Sequence, residues 1–141
     1  MTDLRIAVPR GALLRDTLDL LDELGIDTAE VRSNDRKLLF EEAGLITMRP
    51  SDVPTYVASG AADIGITGKD VLMEQADRPV YELLDLGYGR CTMVLATVDG
   101  PDPAAEALRR LGVMRVATKY PRISAQPQAG RSRPKRPSRS S

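Results

Sequence analysis

The sequence contains no histidine and a single cysteine, and these two scarcities exclude several kinds of active site. Without an imidazole, the chain alone cannot build a histidine general base, a Ser-His-Asp or Cys-His site, or a histidine-ligated metal site. A lone Cys91 excludes an internal disulfide and a cysteine-only zinc site. So little cysteine fits a reducing compartment.

The sequence also lacks long apolar runs. None approaches the length of a membrane span, and the N-terminus has neither the basic region nor the apolar stretch and cleavage site of a signal peptide. We therefore expect a cytoplasmic protein without a membrane partner. Its 141 residues, 42% hydrophobic and 28% charged, suffice for one domain with a real core, or for one domain and part of a second.

The net charge of zero combines two unlike segments. The last 18 residues carry five basic residues and no acidic one, whereas residues 1–123 carry the other 15 basic residues and all 20 acidic ones. Residues 124–141 are otherwise Ser, Pro, Gln, Ala and Gly. Such a segment cannot bury enough apolar surface to offset its ordering entropy, so we expect a disordered basic tail.

Between the termini, short apolar runs alternate with helical patterns. The runs predict strands over 4–8, 38–40, 45–48, 63–67, 81–86, 91–98 and 113–118. Helices are expected from Leu14 to a stop at Gly25, from Ser51 or Asp52 to 59–60, and over 69–75 and 103–111. This order predicts an α/β fold with a largely parallel sheet. Cys91 lies in an apolar stretch and is expected in the core.

In open α/β sheets, ligands bind at the carboxyl ends of strands, and two such ends here carry an arginine. After the first strand, Arg10 offers a guanidinium fork and Gly11 lets a ligand approach the backbone; the alternative is a turn with an exposed arginine. Arg49 precedes a helix start and would attract an anion; the alternative is that Asp52 caps the helix and pairs with Arg49.

Two further strand ends carry mixed polar groups. The first offers Thr67, Gly68, Lys69 and Asp70 without the spacing of a Walker loop, and Asp70 could bind ribose hydroxyls or a cation, or could simply be a helix N-terminal charge. The second offers Lys119 and Tyr120, which could meet a phosphate and stack on a base. A surface tyrosine is the alternative there.

Taken together and in order, these blocks resemble the ATP phosphoribosyltransferase family of histidine biosynthesis, in its short catalytic-subunit form. The match covers nearly all of residues 3–123. It runs through LRIAVPRG (4–11), RKL (36–38), RPSDVPTYV (49–57), GAADIGITGKD (60–70), LDLGYG (84–89) and RVATKYP (115–121). The ADIGI string alone is not specific, and a non-enzymatic, periplasmic-binding-protein-like domain for a small ligand is the alternative.

The resemblance implies transfer of a phosphoribosyl group from phosphoribosyl pyrophosphate to N1 of ATP, with Mg²⁺ holding the pyrophosphate. It implies that Arg10 and Arg49 engage nucleotide or phosphates, Asp70 polar ligand groups and Tyr120 the base region. It also implies a homo-oligomer that assembles with a synthetase-like regulatory chain. The implied fold is a type II periplasmic-binding-protein-like architecture of two α/β domains.

The sequence departs from the family after Ile123. The expected organisation is therefore a first domain over 1–90, the beginning of an incomplete second domain over 91–123, and the basic tail. We hypothesise that residues 124–141 are an out-of-frame or otherwise aberrant ending, which sequencing of the gene past codon 123 would test. The competing hypothesis is a tail that binds nucleic acid, but it has no aromatic residue for base stacking. We expect weak nucleotide affinity and poor catalysis from such a chain.

Overall fold

A small mixed sheet with helices on both faces forms the core of the molecule. The computed structural model describes residues 4–96, 99–100, 102–113 and 115–125. The four strands are β1 (Ile6–Pro9), β2 (Leu39–Phe40), β3 (Leu45–Met48) and β4 (Ile64–Gly65). The helices are α1 (Leu14–Glu23), α2 (Ala29–Ser33), α3 (Val53–Ala58), α4 (Lys69–Glu74), α5 (Pro103–Leu111) and α6 (Pro121–Ala125).

The strand order is β2-β3-β1-β4, which places β1 in the middle. β1 runs parallel to β3, from Ile6 opposite Leu45 to Pro9 opposite Met48, and parallel to β4 on its other side. β2 and β3, which correspond to the strands predicted over 38–40 and 45–48, pair antiparallel. The prediction of an α/β fold is thus confirmed, and the carboxyl ends of β1, β3 and β4 share one edge of the sheet.

Successive residues of β1 face opposite sides of the sheet, so both faces acquire a core. Val8 packs with apolar residues of α1, α2, β2 and β3 on one face, and Ala7 packs with Met48, Val53 and Ala62 on the other. The two clusters together contain Ala7, Val8, Leu18, Leu21, Val31, Phe40, Leu45, Met48, Val53 and Ala62. Both faces of β1 are therefore buried, as in α/β proteins whose sheets are covered on each side.

At two positions, the backbone conformation or the packing requires glycine. Gly25 ends α1 with a φ of +84°, a conformation that L side chains rarely adopt. In β4, a Cβ on Gly65 would lie 2.4 Å from Cγ1 of Val53, so only glycine lets α3 pack this closely on the strand.

Several expected strands do not form. Residues 81–96, all of them described, contain neither helix nor strand, and the described positions of 113–118 are also irregular. A strand needs a neighbour for its backbone groups, and the sheet ends at β4 and β2 instead of extending to these segments. The predicted strand over 63–67 shortens to Ile64–Gly65, although the amide of Ile66 still donates to the carbonyl of Ala7 at 2.9 Å.

Three other expectations also need correction. Cys91 is exposed and does not lie in the core. Helix α2 had no counterpart in the sequence prediction, and neither Ser51 nor Asp52 makes a side-chain capping bond to the helical turns that begin there, within the described part of the chain. Residues 124 and 125, assigned to the tail, belong to α6, while 97–98, 114 and 126–141 lie outside the described residues. No described helix has the length and apolar character of a membrane span.

Candidate functional site

Three predicted junctions meet at one edge of the sheet. Arg10 directly follows β1, and its amide donates to the carbonyl of Met48, the last residue of β3, at 2.7 Å. Thr67, two residues after β4, donates its hydroxyl to the carbonyl of Pro50, which follows Arg49, at 2.8 Å. The parallel pairing of β1, β3 and β4 is the cause of this convergence, because it brings their carboxyl ends side by side.

The guanidinium of Arg10 is fixed by the protein. Its Nε donates to Oγ1 of Thr47 at 2.9 Å, and its Nη2 donates to the carbonyl of Lys37 at 2.7 Å. Arg10 is half-buried, so the alternative of a simple exposed turn arginine is wrong. The next residue, Gly11, has a φ of +99° and open space around its missing Cβ. A ligand could therefore approach the backbone here, as the sequence predicts.

Within the described residues, the guanidinium of Arg49, unlike that of Arg10, is not held by the protein. Its side chain is exposed and makes no hydrogen bond or ion pair within the described residues, so the expected pairing with Asp52 does not occur. The segment after it is nevertheless held, because Gln75 donates Nε2 to the carbonyl of Ser51 at 2.8 Å while Thr67 binds Pro50. Arg49 is thus an unpaired cation on a fixed backbone, the arrangement expected of a group that awaits an anion.

Asp70 lies half-buried in the first turn of α4. Its carboxylate folds over Gly68, where a Cβ would lie 2.1 Å from Oδ1, so a side chain at Gly68 would displace it. The phenol of Tyr120 lies beside this carboxylate. The interaction with Asp70, and secondarily burial, raises the pKa of the Tyr120 phenol above its ordinary value.

The two predicted lysines have partners of different kinds. Lys119 places Nζ 5.3 Å from the centre of the Tyr120 ring, within the range of a cation–π contact. Lys69 forms an ion pair with Glu82 and is exposed. The predicted strand before Lys119 does not form, so the contact of α6 with α4 is what brings Lys119 and Tyr120 to Asp70.

The structure therefore assembles the predicted residues as two groups. One consists of Arg10, Gly11, Arg49 and Thr67 at the strand ends; the other consists of Gly68, Lys69, Asp70, Lys119 and Tyr120 around the start of α4. Sequence reasoning missed Thr47, Gln75 and Glu82, which orient or neutralise the predicted groups. Only Thr47 gave a signal, as a hydroxyl within an otherwise apolar strand.

One cleft of the surface, of about 240 Å³, includes Lys69 of the second group and is lined largely by α4 and the chain after it. Another, of about 560 Å³, is lined by Glu30, Lys37 and three neighbouring residues and includes no residue of either group. Within the described residues, no three His, Cys, Asp or Glu side chains come together as a metal-binding group. The arrangement favours an anionic ligand with polar and aromatic parts, held by arginines.

The sequence is similar to a family model described as "HisG: ATP phosphoribosyltransferase", which matches residues 49–132. Among curated relatives, an ATP phosphoribosyltransferase of Rubrobacter xylanophilus is 48% identical over 127 residues, covering 88% of this chain and 58% of the relative. One of Desulfitobacterium hafniense is 45% identical, covering 86% and 58%, and an ATP phosphoribosyltransferase 2 of Geobacter sulfurreducens is 42% identical, covering 88% and 60%. The chain thus spans somewhat more than half the length of these relatives.

Proposed function

This chain belongs to the ATP phosphoribosyltransferase family, and we propose that it contributes the nucleotide- and phosphate-binding half of an enzyme that transfers phosphoribosyl to N1 of ATP. That reaction is the first step of histidine biosynthesis. The proposal rests chiefly on Arg49, an exposed arginine without a partner among the described residues, which follows β3 where the amide of Arg10 donates to the carbonyl of Met48. The alternative of a non-enzymatic small-ligand domain finds no support among the relatives, which are named as transferases.

The chemistry suits a site without histidine. The bond from ribose C1 to the pyrophosphate oxygen breaks, its electrons leave with pyrophosphate, and N1 of ATP forms the new bond to C1. Because charge develops on the ribose and on a polyanionic leaving group, positioning and electrostatic stabilisation can supply most of the catalysis. Arg10, Arg49 and Lys119 would neutralise phosphates, Asp70 would bind polar ligand groups, and the Tyr120 ring would contact the base.

In this proposal, Mg²⁺ binds the protein as part of its complex with the substrate. The described residues do not form a carboxylate group of the kind that holds a resident ion, and Asp70 lies beside the Tyr120 phenol. Mg²⁺ commonly binds through substrate phosphates with few protein ligands. We therefore assign it to the complex with phosphoribosyl pyrophosphate.

The remaining proposals concern the whole enzyme. They are a cytoplasmic location, a type II two-domain architecture divided near residue 90, and assembly as an oligomer with a synthetase-like regulatory chain. Because the chain spans 58% of its relatives, we also propose that transfer requires the rest of the family's length. The isolated chain should then form phosphoribosyl-ATP far more slowly than a complete relative, and an equal rate in a product assay would contradict this.

Calorimetry with ATP and AMP tests the binding function. We expect both nucleotides to bind and Arg49→Gln to weaken ATP binding by roughly tenfold or more, because charge-assisted bonds to phosphate are about twice as strong as neutral ones. Arg15→Gln, which removes an exposed arginine from α1, is the matched control and should leave binding unchanged. Binding of a small amino acid in place of ATP would favour the non-enzymatic alternative.

A further inference from the structure

Glu74, the last residue of α4, binds the beginning of α6. Its Oε1 accepts from the amide of Arg122 at 2.9 Å, and its Oε2 accepts from the amide of Ile123, also at 2.9 Å. These two amides have no partner within α6, because the first four N–H groups of a helix point away from its own carbonyls. One carboxylate therefore satisfies two of them.

The local sequence explains why another helix must provide this carboxylate. The residue before α6 is Tyr120, whose phenol is directed to Asp70 and which lacks the short oxygen-bearing side chain of a usual N-cap. Pro121 occupies the first helical position and has no N–H to satisfy. Glu74 thus replaces the missing local cap, and a negative charge at this end also suits the helix dipole.

Two further contacts hold the same segment. The hydroxyl of Thr118 accepts from the amide of Tyr120 at 2.9 Å, which fixes the turn into α6. Arg122 donates Nη1 to Oδ1 of Asp77 at 2.9 Å, and this bond lowers the pKa of the Asp77 carboxyl. The Arg122–Asp77 pair is exposed on both sides, so it contributes less than the half-buried Glu74 contact.

We propose that Glu74 is a positioning residue, which orders the start of α6 so that Tyr120, with Lys119 over its ring, remains beside Asp70. The role rests on the proposed function only in taking these three residues as ligand contacts. Glu74 acts on the candidate site through α6, and its charge also raises the pKa of the Tyr120 phenol directly. Without it, the amides of Arg122 and Ile123 lose their acceptor, and the segment that carries Tyr120 is no longer tied to α4.

The test compares Glu74→Ala and Glu74→Gln with Glu23→Ala, which removes an exposed carboxylate from the end of α1. The readout is the pKa of the Tyr120 phenol, followed by NMR of ¹³C-labelled tyrosine and assigned with Tyr120→Phe. Both variants remove the Glu74 charge, which itself raises this pKa, so the positioning role is measured by the difference between them. The pKa should fall further towards the ordinary value of 10.0 in Glu74→Ala than in Glu74→Gln, which keeps one acceptor oxygen, and Glu23→Ala should match the wild type. Unchanged amide shifts in β1–β4 would show that the variants are folded.

The same variants report on ligand positioning. ATP should bind to Glu74→Ala about three- to tenfold more weakly than to the wild type. A Tyr120 pKa that is equal in Glu74→Ala and Glu74→Gln overturns the positioning role, as does undiminished ATP affinity in Glu74→Ala. If ATP fails to bind the wild type, the proposed function is wrong, and the Tyr120 titration then decides alone whether Glu74 positions this segment.

Discussion

Arg10 and Arg49 follow neighbouring strands but differ in what holds their guanidinium groups. Two nitrogen donors of the Arg10 guanidinium bind Thr47 and the carbonyl of Lys37, whereas the Arg49 guanidinium makes no such bond within the described residues. A fixed arginine can shape a site and an arginine without a protein partner can bind an incoming anion, so we propose that the two residues divide these tasks. The sequence predicted both as candidates. It could not separate them, because the partners of Arg10 lie 27 and 37 positions away.

A second cluster of charges ties α1 to α2. The hydroxyl of Thr28 donates to Asp22 Oδ1 at 2.6 Å, and Arg32 donates to Asp22 Oδ2 and to Asp19 Oδ1, both at 2.8 Å. The bond from Thr28, followed by that from Arg32, lowers the pKa of the Asp22 carboxyl below its ordinary value of 3.8. The short helix α2, which its composition did not predict, is held by these bonds.

This cluster predicts a stability loss in acid. Because the folded pKa of Asp22 lies below the unfolded value, its contribution is fully present above about pH 3.8 and declines as the pH falls towards the folded value. Urea unfolding between pH 6 and pH 3 should therefore show a smaller acid-induced loss in Asp22→Asn than in the wild type. Asp16→Asn, an exposed change on the same helix, is the control. Equal losses in Asp22→Asn and the wild type would refute this assignment.

At the scale of elements, the local sequence pattern correctly predicted the helices and strands whose contacts are close in sequence. The β2–β3 hairpin, the end of α1 at Gly25 and helix α5 all follow the predictions, because neighbouring residues determine them. The strand expected over 81–86 and the described part, 91–96, of the strand expected over 91–98 do not form, for the opposite reason. Their apolar runs suit a sheet, but strand formation depends on a distant partner that the described chain does not provide.

The close packing of α3 on β4 predicts that a side chain at Gly65 destabilises the fold. Gly65→Ala would bring a Cβ within 2.4 Å of Cγ1 of Val53 and 2.8 Å of Cγ2 of Val57, and overpacking of this kind costs about 1–3 kcal/mol. We expect a lower urea midpoint. Val53→Ala in the same background should restore part of the loss, because it removes the closest methyl groups. Additive destabilisation in the double variant would show that this contact is not the cause.

At the scale of the whole molecule, the apolar surface is unevenly distributed. The core around β1 is buried on both faces, while Tyr81, Leu83, Val94 and Leu95 are between 70% and 87% exposed. So dense an exposed apolar segment is typical of an interaction surface or an aggregation-prone one. The greater length of the relatives agrees with a need for further polypeptide here, and composition alone could not show which apolar runs would remain uncovered.

The exposed segment predicts self-association of the isolated chain. Sedimentation velocity should show mass increasing with concentration, and the double variant Leu83→Lys/Leu95→Lys should shift the distribution towards monomer. Because both side chains are at least 70% exposed, the unfolding midpoint should change little. Glu23→Lys is the control for added charge. A wild type that stays monomeric at high concentration would rule out this role for the segment.

The most direct test of the nucleotide site is an ¹H–¹⁵N NMR titration of the chain with ATP. The amides of 10–11, 49, 51 and 67–70, which surround the ends of β1, β3 and β4, should shift together and saturate, and Arg49→Gln should require roughly tenfold more ATP for the same shifts. An absence of shifts at these amides, or shifts confined to the cleft near Glu30 and Lys37, would contradict the assignment of this edge of the sheet as the nucleotide site.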